Sequence, residues 1–104
     1  MIIRGTTPTE VFSVNNPEVI DLSRCTQIWA TITDKSGTDY TWDIERLVVD
    51  GDSISFELTQ EETLAFKVGV ARVQFRFLYD NGKAFASKPV PLSIEDVRKD
   101  GVIS

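Results

Sequence analysis

Apolar residues recur at every second position over long stretches of this chain of 104 residues. The clearest run is Val70 to Tyr79, where Ala71, Val73, Phe75, Phe77 and Tyr79 alternate with Arg72, Gln74, Arg76 and Leu78. Successive side chains of a strand point to opposite faces, so the run predicts a strand with one apolar and one mostly polar face. Asp80-Asn-Gly82 follows, and it predicts a type I′ hairpin because Asn-Gly tolerates the positive φ angles of that turn. Lys83 to Ser87 is then the antiparallel partner.

The same alternation predicts the other strands. Met1 to Arg4 is a short apolar extended piece, broken by Gly5-Thr-Thr-Pro8. Thr9 to Val14 is a strand with Val11 on one face and Phe12 and Val14 on the other. Asn15-Asn-Pro17 is a turn, and Pro17 to Arg24 is a loop or a single helical turn with Val19, Ile20 and Leu22 on the core. Cys25 to Thr33 points Ile28, Ala30 and Ile32 one way and Gln27, Trp29, Thr31 and Thr33 the other. Asp34-Lys-Ser-Gly37 is a hairpin loop, and Thr38 to Ile44 returns with Tyr40, Trp42 and Ile44 opposite Asp39, Thr41 and Asp43. Asp50-Gly-Asp52 turns the chain into Ser53 to Leu58, with Ile54, Phe56 and Leu58 inward. Pro89 and Pro91 flank Val90, so the final strand is an edge or switches partner there, since proline cannot donate to a ladder. Leu92 and Ile94 resume the alternation.

One stretch has a different period. Thr59 and Glu62 have the spacing of a capping box, in which the threonine hydroxyl and the glutamate carboxylate each take the other's backbone amide. Glu61 and Glu62 also place negative charge in the first turn, at the positive helix end. This predicts a short helix over Gln60 to Ala65, bridging two strands; a solvated acidic turn is the alternative. The reading is therefore an all-β, immunoglobulin-like antiparallel sandwich of six or seven strands, with one short helix in a crossover. Residues 1–95 form a single domain and 96–104 a C-terminal tail. The expected core includes Phe12, Ile28, Ile32, Tyr40, Trp42, Phe56, Leu58, Phe66, Val73, Phe75, Phe77 and Leu92. Burying each contributes about 1.5–3 kcal/mol before conformational entropy opposes it.

Composition narrows the chemistry. The chain is 41% hydrophobic and 26% charged, which is ordinary for a globular domain. Its net charge of −5 disfavours nucleic acid and anionic membrane surfaces as partners. There is no histidine, which removes Ser-His-Asp and Cys-His catalysis and histidine-based metal sites. Cys25 is the single cysteine, so no intramolecular disulfide forms, and it reads as a small buried or edge residue. The start lacks a signal-peptide shape and no apolar run approaches membrane-spanning length, so a soluble chain made in a cytoplasm is expected.

Few constellations carry chemistry. Asp50 and Asp52, with Asp43 and Glu45 nearby, lie in turns and on outward faces rather than across a cleft, and they lack an EF-hand pattern. No glycine-rich loop precedes a helix, so no nucleotide site is expected. No catalytic residue, metal ligand or cofactor is expected. The candidate interaction face is Trp29 with Arg72, Gln74 and Arg76, because arginine beside exposed aromatic rings is typical of interface centres and sugar platforms. The alternative is that the arginines pair across strands with Asp39, Asp43 or Glu57. The two chain ends are candidates for adding to a neighbour's sheet edge, with fraying as their alternative.

Three segments together resemble a known group. They are Met1-Ile-Ile-Arg-Gly-Thr-Thr-Pro-Thr9, Leu58-Thr-Gln-Glu-Glu-Thr-Leu-Ala-Phe66, and Val73-Gln-Phe-Arg-Phe77 with Asp80-Asn-Gly82 and Ala86-Ser87. The likeness is to small structural or accessory proteins of tailed phages and prophages of Gram-positive gut bacteria, related to N-terminal domains of phage baseplate and tail proteins. The resemblance implies a non-enzymatic virion protein of the tail, baseplate, neck or capsid decoration, made in the host cytoplasm and located in the virion. It implies other virion proteins as partners, through either docking to a larger virion protein or self-association into a homo-oligomer. It transfers no active-site residues, and the loops Asp34 to Gly37 and Pro89/Pro91 depart from the group. A carbohydrate- or surface-binding β-sandwich module is the alternative function, and it requires an exposed aromatic platform.

Overall fold

The computed structural model describes residues 1–13 and 20–103. Its strands are β1 (Ile2–Ile3), β2 (Thr9–Ser13), β3 (Cys25–Thr33), β4 (Asp39–Trp42), β5 (Val48–Asp50), β6 (Ser53–Glu57), β7 (Gly69–Tyr79), β8 (Ala84–Ala86) and β9 (Val90–Glu95), with helix α1 at Gln60–Ala65. Two 3-10 turns lie at Leu22–Arg24 and Ile44–Arg46. The expected strand Thr9 to Val14 is seen as far as Ser13; Val14, the turn Asn15-Asn-Pro17 and Val19 lie outside the described residues.

The strands form two sheets. Sheet A has the order β1-β9-β7-β3-β4 with β8 beside the second half of β7, and sheet B has the order β2-β6-β5. This is an all-β sandwich with one helix in the crossover from β6 to β7. It follows immunoglobulin order, with β2, β6 and β5 as B, E and D, and β3, β7 and β9 as C, F and G. Strand β4 extends sheet A beyond C. The sandwich is not wholly antiparallel, because β1 pairs parallel with β9 through Ile2 opposite Ile94 and Ile3 opposite Glu95. After β1 the chain turns at Gly5, whose φ is 80°, and leaves sheet A for sheet B. The six longer strands are those the alternation predicts; β8 is the expected return strand within Lys83 to Ser87, β1 lies in the expected extended piece Met1 to Arg4, and β5 brings the count among the described residues to nine.

The core lies between the sheets. Ile28, Ala30 and Ile32 of β3 and Ala71, Val73, Phe75 and Phe77 of β7 face Ile54 and Phe56 of β6, all buried. Phe12 and Tyr40 are half-buried against this cluster. Aromatic rings knit the layers: Phe12 meets Phe75 edge-on at 5.2 Å, and Trp42 lies 5.5 Å from Phe56.

Helix α1 has the predicted boundaries and the predicted capping box. The Glu62 amide donates to Thr59 Oγ1 at 3.2 Å, and the Thr59 amide donates to Glu62 Oε1 at 2.8 Å. Glu62 does more than cap. Its Oε2 accepts the Trp42 indole N–H at 2.7 Å, and Arg46 pairs with its Oε1. Thr63, fully buried, takes the Gly5 amide and donates to the Thr6 carbonyl, each at 2.9 Å. One helical turn therefore ties both β4 and the sheet-switching N-terminal segment to the core.

The hairpins differ in detail from expectation. Gly82 takes φ 86° but Asn81 does not take a positive φ, so the turn after β7 is not type I′. Tyr79 N–H donates to the Lys83 carbonyl at 2.9 Å and Gly82 N–H to the Tyr79 carbonyl at 3.0 Å, which leaves a three-residue loop. Such loops use an ordinary type I turn followed by one left-handed residue, here Gly82. The β3–β4 loop repeats the construction with Gly37 at φ 87° and the Asp34 amide on the Thr38 carbonyl at 3.0 Å. Ile44 is not part of β4, because the Asp43 carboxylate captures the Glu45 amide at 3.1 Å and starts a 3-10 turn.

The proline pair splits the last strand without changing its partner. Both β8 and β9 lie along one edge of β7. At the break, Ser87 exchanges two bonds with Phe75: its amide donates to the Phe75 carbonyl and its Oγ accepts the Phe75 amide, each at 2.9 Å. The C-terminal tail is held to the same molecule. Arg4 bonds Asp96 at 2.7 Å and the Leu64 carbonyl at 2.9 Å, and the Gln60 carboxamide makes both bonds to the backbone of Ile103, at 2.8 and 2.9 Å.

Candidate functional site

Sheet A turns its outer face to solvent, and the alternation of β7 and β3 puts all four predicted interaction residues there. Register decides what stands beside what. Trp29 is directly opposite Arg76, Thr31 opposite Gln74, and Thr33 opposite Arg72. On the other side of β3, Thr31 is opposite Thr41 and Thr33 opposite Asp39. The two hydroxyls of Thr31 and Thr41 bond each other at 3.0 Å.

Trp29 is half-buried and forms the wall of a shallow groove of about 460 Å³. Thr31, Thr41, Arg76, Phe77, Leu78 and Ala84 complete the lining. Trp42, by contrast, is buried with its indole N–H committed to Glu62. The face therefore presents one indole, not two.

The arginines are exposed, and the alternative, pairing with Asp39, Asp43 or Glu57, does not form. Among the described residues the ion pairs are Arg4–Asp96, Arg4–Asp100, Arg24–Asp80 and Arg46–Glu62. Asp39 accepts Thr33 Oγ1 at 2.5 Å and Asp43 caps the 3-10 turn, while Glu57 belongs to sheet B. Among the described residues Arg72 and Arg76 thus make no ion pair. Gln74 is partly committed, since its side chain donates to the Ser87 carbonyl at 2.9 Å and braces the β8–β9 break.

The groups with shifted pKa values lie elsewhere and are structural. Burial opposes the charge on Asp34, but bonds from Ser36, Lys67 and Thr38 outweigh it and hold the carboxyl below its usual range. Burial likewise opposes the charge on Glu62, and Arg46, the Thr59 amide and the Trp42 indole outweigh it. Burial pushes up the Glu10 carboxyl, which sits on the inner side of β2 opposite Phe56. Cys25 is half-buried, and burial with the nearby charges of Asp21 and Asp80 pushes its thiol up, away from the reactive thiolate.

Asp50 lies at the end of β5 and Gly51 takes φ 61° in the turn to β6. Among the described residues no group of three or more His, Cys, Asp or Glu side chains is placed to hold a metal ion. Among the same residues no helix is long and apolar enough to cross a membrane. Sequence reasoning missed Thr31, Thr41, Leu78 and Ala84 as groove residues. Their outward direction was legible from the alternation, but their adjacency needs the register. Compared with family models, with curated proteins and with solved structures, the chain matches none.

Proposed function

We propose that this protein is a non-enzymatic structural or accessory component of a phage particle, acting through protein–protein contacts on the outer face of sheet A. The observation that carries the binding role is Trp29 beside Arg76, with Arg72 further along the same face opposite Thr33, both arginines exposed and without an ion pair among the described residues. Arginine and tryptophan dominate the energetics of interface centres. The edges of the sheets are less inviting. Strand β2 follows Pro8 and turns Glu10 inward, both devices that discourage strand addition. The placement in a virion rests on the resemblance of the three sequence segments.

The test is quantitative mass spectrometry of purified particles from an induced culture of the source strain. The expected result is this chain at a fixed ratio to the major capsid protein, with the Arg72→Ala/Arg76→Ala variant depleted at least tenfold. Abundance in the lysate with absence from clean particles refutes the virion role. A second reading is carbohydrate or surface binding, favoured by the single indole of Trp29 above the Thr31 and Thr41 hydroxyls. Glycan-array binding that vanishes in Trp29→Ala would support it over the first.

A further inference from the structure

The outer face of sheet A is organised in columns. On β7 stand Arg72, Gln74 and Arg76; on β3, at the same three heights, stand Thr33, Thr31 and Trp29. On β4 stand Asp39 beside Thr33 and Thr41 beside Thr31. Asp43 follows one residue past Trp42, which pairs with Ala30, so it lies level with Trp29. A basic column, a neutral column and an acidic column therefore run side by side. Adjacent strands are about 4.8 Å apart, so the basic and acidic columns are about 10 Å apart and do not reach each other across Trp29.

From this pattern we infer that the face pairs with a second copy of itself, through a twofold axis parallel to β3. The inference rests on the reading that this face is the binding surface, and it names the partner. Rotation about that axis lays the β7 column of one copy over the β4 column of the other at unchanged height. Arg72 then meets Asp39 of the second copy, Arg76 meets Asp43, and Gln74 meets Thr41. The twofold repeats each contact, as an isologous interface requires. Trp29 falls on the axis and meets its own equivalent. A twofold axis lying across the strands would instead stack arginine on arginine and aspartate on aspartate. Charge thus selects one arrangement, the aligned packing of two sheet faces about 10 Å apart.

The size of the face sets the strength. The three strands that overlap, about 4.8 Å apart and at most about 30 Å long, cover roughly 400 Å² per copy, about half the ~800 Å² of a standard interface. Each copy also carries a net charge of −5, so general repulsion opposes the local attraction. The pairing is therefore weak and depends on the arrangement of the charges.

A charge exchange tests this by sedimentation velocity across a concentration series. One variant carries Arg72→Glu and Arg76→Glu, which takes the net charge from −5 to −9. The other carries Asp39→Lys and Asp43→Lys, which takes it from −5 to −1. Wild type is expected to move from monomer to dimer with concentration, and each variant alone to need at least tenfold more protein. An equimolar mixture of the two restores dimer at or below the wild-type concentration. Because mixing also lowers net repulsion, a control carries Glu57→Lys and Glu61→Lys, which reaches −1 away from the face; mixed with the arginine variant it should restore nothing. If the lysine variant misfolds by circular dichroism, Asp39→Asn/Asp43→Asn serves instead, since asparagine also caps a helical turn, and a threefold or greater weakening is expected. Monomeric wild type at about 1 mM, variants that dimerise like wild type, or a mixture that fails to recover would each overturn the inference. Monomeric wild type together with loss of the arginine variant from particles would overturn only the dimer and leave the binding face standing.

Discussion

Glu62→Ala isolates the contact that joins helix to sheet. Three partners lose their acceptor at once: the Thr59 amide, the Trp42 indole and the Arg46 guanidinium. Loss of the capping contact costs about 1 kcal/mol. The indole N–H of Trp42, in a side chain only 9% exposed, is left without a partner, which costs about 1–3 kcal/mol. The Arg46 pair is partly open to solvent and adds about 0.5 kcal/mol. The expected loss is about 3 kcal/mol, or roughly 12–20 °C in Tm for a domain of this size. Urea denaturation followed by tryptophan fluorescence measures it, and a double-mutant cycle with Trp42→Phe should return a coupling of about 1 kcal/mol.

Acid provides a second, independent reading of the same contact. The folded Glu62 carboxyl titrates below its usual range, whereas the unfolded chain titrates near about 4.3. Between the two values the unfolded chain binds more protons, so acid favours unfolding there. The stabilisation is complete above the unfolded value and is lost as pH falls through the folded one. Wild type should therefore lose stability more steeply than Glu62→Ala below about pH 5. A Glu62→Ala protein within about 0.5 kcal/mol of wild type, with an unchanged acid limb, would refute the reasoning.

Asp34→Asn replaces one acceptor oxygen with a donor among the Ser36, Thr38 and Lys67 amides, and should cost about 1–3 kcal/mol in urea denaturation. Gly82→Ala should cost about 1–2 kcal/mol, because its φ of 86° is left-handed while open space surrounds the added carbon. Gly69→Ala should cost more, since its φ is 135° and the new carbon meets the Lys35 side chain; the reverse order of melting temperatures would contradict this. Gln60→Ala removes both bonds to Ile103, so trypsin should cut after Arg98 and Lys99 roughly three- to tenfold faster, with little change in Tm.

Much of the fold is legible in the sequence because two local signals are unusually clean. The five alternating apolar residues of β7 have no competing period, and the Thr59/Glu62 spacing has few uses other than a capping box. What was not legible depends on distance along the chain. Asn81-Gly82 suits either a two-residue type I′ turn or a three-residue loop with Gly82 alone left-handed, and only the pairing of Tyr79 with Lys83 chooses between them. The parallel seat of β1 on β9 joins Ile2 to Ile94, and no local pattern announces it. Ile44 continues the apolar alternation of β4, yet Asp43 overrides it by offering its carboxylate to the next turn.

The site follows the same division. Alternation alone puts Arg72, Gln74 and Arg76 on one face of β7, Trp29 on one face of β3, and Asp39 on one face of β4. It leaves open whether the arginines and aspartates neutralise each other, and a single register would allow it. If β7 and β4 were neighbours, Arg72 would stand about 5 Å from Asp39 and the face would be self-contained. Strand β3 lies between them, and it fills the gap with threonine hydroxyls and one indole rather than with charge. The consequence is a face whose opposite charges are sorted into separate columns that form no ion pair with each other among the described residues. Sheet order, not composition, is what turns an acidic domain of ordinary content into one with a directional and self-complementary surface.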